Sequence, residues 1–216
     1  MPSTKSRPET KGSPKPARRP QAERSADTRA KVIAAAITCL HRGGYAGATV
    51  GAVADEAGVS RGALTHQFAG KTELMLAVVR EVFERDSAQY NRSVSLMSPK
   101  DWLATLPATM WRVINQPAHI AAMEIMLASR SDPDLARRLR EMQTQIDEQS
   151  FAWARERYAA AGMTPRPDRD AIHRLLVAAV RGLALEAVYM KNADELEKSI
   201  AVLCEMAQGL NPALKS

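Results

Sequence analysis

Residues 49–68 of the chain, TVGAVADEAGVSRGALTHQF, decide the fold. Thr49 is a favourable N-cap, because its hydroxyl can accept a hydrogen bond from one of the free amides that open a helix. Apolar residues then recur at spacings of three and four to about Ala57, which puts them on one helical face. Gly58 follows where a left-handed backbone conformation would end the helix. The first half of the stretch therefore predicts a short amphipathic helix with a tight turn after it.

Ser60 can cap a second helix over residues 61–67, in which Leu64 is the one large apolar residue. The exposed face of this helix offers hydrogen-bonding groups beside two small residues: Ser60, Arg61, Gly62, Ala63, Thr65, His66 and Gln67. Such a pair of helices is a helix-turn-helix, whose second helix enters the major groove of DNA. An ordinary helical hairpin with a polar outer face is the alternative that the spacing leaves open.

A longer set of residues in the same register carries a family resemblance. These residues are Thr28-Arg29, Ala35-Ala36, Gly44-Tyr45, Thr49-Val50, Val53-Ala54, Ala57-Gly58-Val59-Ser60, Gly62-Ala63-Leu64, His66, Phe68, Lys71 and Leu74. Over residues 28–79 the chain resembles the N-terminal domain of TetR-family transcriptional regulators. Thr65 stands where the family often carries an aromatic residue, and Gln67 where a histidine or an aromatic is common. The operator sequence therefore does not carry over from relatives.

The resemblance implies roles for the residues of this surface. Thr49, His66 and Lys71 would hold backbone phosphates, and the N-cap Ser60 opens the helix that reads the bases. The residues that would face bases are Arg61, Gly62, Ala63, Thr65 and Gln67. Arg61 is the predicted main reader, because arginine is the commonest ligand of guanine in the major groove. A capped surface histidine is the alternative for His66.

Composition predicts an all-α protein, because helix formers dominate its 216 residues, aromatic residues make up 5%, and period-two alternation is absent. The formal net charge is +6. Residues 1–24 hold seven basic and two acidic side chains, which is +5 of that total. This proline-rich segment is predicted to be a disordered tail. It is either a solvated leader or a basic arm that follows the DNA backbone.

Helix start and stop signals divide the remaining chain. A first helix is predicted over residues 27–42 and a long one over 71–93, and X-Pro pairs open several of the later ones. The later helices are predicted near residues 99–114, 117–129, 133–161, 168–190 and 194–208, with a possible kink at Pro107. The predicted organisation is a tail (1–24), a three-helix DNA-binding domain (25–71) and a larger helical regulatory domain (72–216).

The family resemblance also implies a ligand cavity and a dimer in the regulatory domain. Methionine and aromatic side chains suit an adaptable apolar cavity, although simple core packing is the alternative for each of them. The ligand-binding candidates are Trp102, Met110, Trp111, Met123, Met126, Phe151 and His173. Small residues alternate with large ones in the last two helices, a pattern that favours a four-helix bundle between two subunits.

Other classes of function lack their signatures. The four histidines and two cysteines show no metal-ligand spacing, and no nucleophile, dinucleotide or phosphate-loop motif is present, so we expect no cofactor, metal or catalytic residue. No apolar run is long enough for a membrane span, and a cytoplasmic location is expected. The sequence predicts a homodimeric repressor that binds an inverted-repeat operator and leaves it when a small apolar or aromatic effector binds. A ligand-independent helix-turn-helix regulator and an all-helical adaptor for protein partners are the alternatives.

Overall fold

The computed structural model describes residues 21–163, 166–190 and 192–210, and all regular structure within them is helical, as predicted. The helices are α1 (Gln21–Gly47), α2 (Val50–Ala57), α3 (Arg61–Gln67), α4 (Lys71–Val94), α5 (Pro99–Ala104), α6 (Leu106–Ile114), α7 (Pro117–Ala128), α8 (Pro133–Ala160), α9 (Arg169–Glu186) and α10 (Ala193–Gly209). A short 3₁₀ helix, Ser129–Ser131, joins α7 to α8.

The caps of α2 and α3 are those that the sequence predicts. The Thr49 hydroxyl accepts a hydrogen bond from the Ala52 amide at 3.1 Å, and the Ser60 hydroxyl accepts one from the Ala63 amide at 3.1 Å. Gly58 lies between the helices with φ 64° and ψ 33°, the left-handed conformation that ends α2. The observed bounds of both helices match the predicted ones.

Helix α1 differs from its prediction at both ends. It begins at Gln21, so residues 21–24 are helical and the prediction of disorder for them is wrong. Contacts hold this first turn, because Thr28 Oγ1 donates to the Arg24 carbonyl at 2.8 Å and Gln67 Nε2 donates to Ser25 Oγ at 2.8 Å. At its other end α1 kinks at Gly44. Residues 1–20 of the predicted basic tail (1–24) lie outside the described residues.

The helix predicted over 99–114 is divided into α5 and α6. Thr105, with φ −111° and ψ 9°, separates them, and Pro107 follows in the first turn of α6. Proline has no amide proton to donate to the carbonyl four residues earlier, and its ring clashes with that carbonyl in a continuous helix. The chain therefore ends one helix and starts another. Helix α9 ends at Glu186, before the predicted residue 190.

Two hydrophobic cores form among the residues that the structure describes. The first core joins α1, α2, α3 and the first half of α4 with residues of α7 and the start of α8, among them Ala118, Ala121, Ile125 and Leu135. The second core joins the end of α4 with α5, α6, the end of α8, α9 and α10 around Trp102. The helices that carry the turn motif thus share a core with helices of the predicted regulatory segment.

Candidate DNA-binding surface and effector cavity

Helix α3 is anchored by two apolar side chains and leaves its polar face open. Leu64 is fully buried and Phe68, just after the helix, is nearly so. Arg61, Thr65 and His66 are exposed. The Thr65 hydroxyl donates to the carbonyls of its own helix, Arg61 and Gly62, each at 3.1 Å. Burial of one edge therefore fixes how α3 presents its opposite edge to solvent.

Arg61 lies against α2 at Gly51. A Cβ atom at Gly51 would stand 2.9 Å from Arg61 Nη2, which is closer than real contacts allow. The absence of a side chain at position 51 lets the guanidinium extend across α2 from the first residue of α3. This packing holds the predicted base-reading side chain at the start of the exposed face.

Two other predicted DNA contacts are already engaged within the protein. Lys71 Nζ donates to the Tyr45 carbonyl at 2.7 Å and lies 3.9 Å from the centroid of the Tyr45 ring. Burial lowers the pKa of Lys71. Gln67 donates to Ser25, as described above, which ties the end of α3 to the start of α1. The exposed members of the predicted set, by contrast, are Thr49, Ser60, Arg61, Gly62, Thr65 and His66.

A cavity of about 560 Å³ lies among α4, α6, α7, α8 and α9. Its wall is mostly apolar, with residues such as Val79, Val82 and Ile114. Helix α7 borders both the cavity and the first core: His119, Ala122 and Met126 line the cavity, and Ala122 also belongs to that core.

Three of the seven predicted ligand-binding residues line this cavity, namely Met110, Met126 and His173. Four do not: Trp102, Trp111, Met123 and Phe151. Trp102 is fully buried behind the wall, where its Nε1 donates to Tyr90 Oη at 2.7 Å.

Phe151 makes an edge contact with the ring of His173, with centroids 5.8 Å apart. Trp111 packs against the second core as a partly buried residue. Trp102 and Phe151 thus contact lining residues of the cavity without lining it themselves.

The sequence analysis missed a polar cluster in the cavity wall. Asp86 Oδ2 lies 3.0 Å from His119 Nδ1, and Arg181 of α9 also lines the cavity. The available signal was register: Asp86 falls on the face of α4 that carries Val79 and Val82, and Arg181 follows Val177 by one helical turn. A charged side chain at an apolar position of an amphipathic helix marks a buried polar group.

His173 is the titratable residue among the seven predicted ligand-binding residues, and its side chain is buried. Its Nε2 lies 3.2 Å from Ser150 Oγ, and its Nδ1 is buried without a hydrogen-bond partner. Burial lowers the pKa of His173 from 6.5 to about 4. The ring is therefore neutral at physiological pH and lines the cavity without carrying a charge.

Within residues 21–163, 166–190 and 192–210, no group of three or more His, Cys, Asp or Glu side chains is arranged to hold a metal ion. In the same part of the chain, no helix combines the length and the apolar character that a membrane span requires.

Two family models match the chain. Residues 32–78 match the model for bacterial regulatory proteins of the tetR family, and residues 100–209 match the model for the tetracyclin repressor-like C-terminal domain. The second match alone covers more than half of the chain. The chain belongs to the TetR family. Proteins of the TetR family are DNA-binding transcriptional regulators and not enzymes, so this chain is a transcriptional regulator.

Curated relatives agree along most of the chain. The HTH-type transcriptional regulator CymR of Pseudomonas putida is 29% identical over 194 residues, which cover 85% of this chain and 90% of CymR. The HTH-type transcriptional repressor AcnR of Corynebacterium diphtheriae is 26% identical over 195 residues, covering 86% and 94% of the two chains. The similarity to TetR-family regulators thus extends from the DNA-binding helices through the regulatory helices.

Solved structures share the fold. A transcriptional regulator from Rhodococcus sp. Rha1 superposes with a TM-score of 0.67 at 23% identity, over 84% of this chain and 96% of that chain. GusR of Salmonella enterica gives a TM-score of 0.66 at 22% identity, over 86% and 96%. Both helical halves of the chain therefore share their fold with these solved structures.

Proposed function

We propose that this TetR-family protein is a ligand-responsive repressor that binds an inverted-repeat operator as a homodimer. The observation that carries the proposal is the continuity of α7, which lines the cavity on one side and packs in the first core with α1 on the other. A molecule in the cavity would act on the same helix that supports the DNA-binding helices. The printed name of one relative, AcnR, calls that protein a repressor.

The DNA contacts would come from the exposed face of α3. Arg61 would read bases from the start of the helix, with Gly62, Ala63, Thr65 and Gln67 beside it. Thr49, His66 and Lys71 would meet backbone phosphates, for which Lys71 must leave the Tyr45 carbonyl that it bonds at 2.7 Å. The amides of Thr72 and Glu73 at the start of α4 are further donors for a phosphate.

Dimerisation would use α9 and α10. Exposed apolar side chains concentrate on these helices, including Leu175, Val202 and Met206, which are each more than half exposed. A group of exposed apolar side chains on a monomer is typical of a surface that binds another protein. Pairing two copies through α9 and α10 would place two α3 helices about one DNA turn, or a multiple of it, apart.

The switch would be a shift between two arrangements of the regulatory helices. A small, largely apolar effector fits the cavity, whose volume of about 560 Å³ lies within the range of drug-sized ligand sites. An effector that binds one arrangement better changes the position of α7 and, through α1, the spacing of the two α3 helices. A tenfold loss of DNA affinity needs only about 1.4 kcal/mol of coupling. The protein would act in the cytoplasm, where its operator is.

The test is a titration of the purified protein on its own upstream DNA, with and without excess random competitor. We expect Arg61→Ala to weaken the competitor-resistant complex by about 5- to 150-fold, the loss of one good base contact. Arg130→Ala removes the same charge from an exposed residue of the Ser129–Ser131 turn and should bind as the wild type does. Equal binding by all three proteins, or binding that competitor abolishes, would contradict the role of α3.

A further inference from the structure

The charged side chains of the cavity wall differ in how well they are paired. Asp86 of α4 has two cationic or hydrogen-bonding neighbours: His119 Nδ1 lies 3.0 Å from its Oδ2, and Arg85 Nη2 lies 3.8 Å from its Oδ1. The negative charge of Asp86 is thus partly balanced inside the protein. Asp86 Oδ1, although buried, has no hydrogen-bond donor.

Arg181 of α9 has no such balance. In the described part of the chain, no carboxylate forms an ion pair with its guanidinium within 4 Å, and its buried Nε lacks a hydrogen-bond acceptor. Burial lowers the pKa of Arg181, against the opposing influence of Asp147 and Asp86. By contrast Arg174, two turns earlier on α9, pairs with Asp147 at 2.9 Å. A half-buried cation without an ion-pair partner is unfavourable, so among the described residues of this wall Arg181 is the cation that lacks a counterion.

The surroundings of Arg181 define what the missing partner would be. Val177 lies one helical turn before it in the cavity wall, and Val79, Val82 and Ile114 line the same space. A guanidinium pairs best with a planar oxyanion, which accepts two parallel N–H bonds. The apolar residues require that the rest of the molecule be hydrocarbon. An inorganic anion alone would leave this apolar wall in contact with water.

We propose that the effector is a small amphipathic acid, with a carboxylate or equivalent oxyanion head that pairs with Arg181 and an apolar body that fills the cavity. This assignment rests on the proposed ligand-responsive function, because it names the chemical class of the effector.

Two dyes with the same aromatic rings test, in the absence of DNA, whether an oxyanion pairs with Arg181. 8-Anilinonaphthalene-1-sulfonate carries an oxyanion, and N-phenyl-1-naphthylamine has the same rings without it. Both are titrated by fluorescence against the full chain, Arg181→Met and Arg155→Met. Arg155 is an exposed arginine that pairs with Asp170 and does not line the cavity, so its variant controls for net charge.

We expect wild type and Arg155→Met to prefer the sulfonate, and Arg181→Met to lose about 10- to 100-fold in sulfonate affinity with unchanged affinity for the neutral dye. A circular dichroism spectrum and a urea unfolding curve like those of the wild type show that the variant is folded, since loosely packed states also bind such dyes. Arg181→Gln repeats the test if Arg181→Met does not fold. Sulfonate binding that is indifferent to Arg181, or no preference for the sulfonate in the wild type, overturns the proposal.

A second measurement separates this proposal from the proposed function. Operator affinity is titrated with each dye present. If the neutral dye and the sulfonate release the operator equally well, and Arg181→Met alters neither release, the ligand-responsive function stands. The proposed pairing of an oxyanion with Arg181 is then wrong. The opposite result is that Arg181→Met weakens sulfonate binding while neither dye, nor a series of aryl and alkyl carboxylates, changes operator affinity. In that case the pairing of an oxyanion with Arg181 stands and the ligand-responsive function fails.

Discussion

Gly44 interrupts α1 with a backbone conformation that glycine alone adopts readily, φ 63° and ψ −172°. A Cβ atom there would also stand 3.3 Å from Glu124 Oε2 of α7. We expect Gly44→Ala to lower the free energy of unfolding by about 1–3 kcal/mol in urea denaturation. The matched control is Gly43→Ala, where a Cβ meets nothing within 4 Å and the φ angle is ordinary. Equal effects of the two substitutions would show that the kink is unstrained.

Burial of His173 is expected to lower the stability of the folded protein as the pH falls. Burial lowers its pKa to about 4, so between pH 6.5 and 4 the unfolded chain binds a proton that the folded chain does not. Its contribution to stability is therefore complete above pH 6.5 and is lost as the pH falls towards 4, with a slope of at most about 1.4 kcal/mol per pH unit. We expect His173→Gln to flatten this part of the pH dependence of urea denaturation. His66→Gln, at an exposed histidine, should leave the slope unchanged.

Sequence reasoning at the residue scale found the polar face of α3 but found only part of the cavity wall. Arg61 and His66 are exposed because Leu64 fixes the buried edge of a helix only seven residues long. Whether Met110 or Trp111 faces the cavity depends on how α6 crosses its neighbours, and adjacent residues of a helix point about 100° apart. Asp86 and Arg181 each stand in register with apolar residues of their own helices, but only the assembly of α4, α6, α7, α8 and α9 around the cavity brings them into one wall.

At the scale of the elements, cap residues made most helix bounds predictable. Thr49, Ser60 and Ser98 each accept a hydrogen bond from an amide of the helix that follows, and Pro117 and Pro133 open helices without needing an amide donor. The early start of α1 was not predictable, because it depends on Gln67 bonding to Ser25 across the three-helix unit.

Helix α7 has almost no room on the side that faces the first core. Ala121 is fully buried there, whereas Leu127 on the same helix is more than half exposed. We expect Ala121→Val to lower the free energy of unfolding by about 1–3 kcal/mol, because added methyl groups overpack a filled core. Leu127→Val should change it by less than about 0.5 kcal/mol. Thermal or urea unfolding of both variants checks this. An Ala121→Val variant with an unchanged free energy of unfolding would show that a void lies beside α7.

At the scale of the whole molecule, association through α9 and α10 is open to a direct test. Val202 is exposed and lines a shallow groove between these helices, together with Leu203 and Met206. We expect Val202→Asp to shift the protein to monomer in sedimentation velocity and to weaken operator binding, because one half-site is then read alone. Ala201→Asp adds the same charge on another exposed face of α10. A monomer in both variants, or a dimer in both, would point to a different interface.

The first core joins the DNA-binding helices to α7, and this has a consequence for constructing hybrid regulators. A cut after Gly70 would strip α1, with its buried Val32 and Leu40, of the contacts that α4 and α7 supply in the first core. Residues 21–70, which carry the helix-turn-helix, therefore do not form an independent folding unit. A chimera that transplants residues 21–70 onto another TetR-family sensor would function only if the recipient's α7 presents small residues where this chain has Ala118, Ala121 and Ala122. The fit between α1 of this chain and α7 of the recipient would decide whether such a hybrid folds and responds to a ligand. The exact residue at which the two chains are joined would matter less.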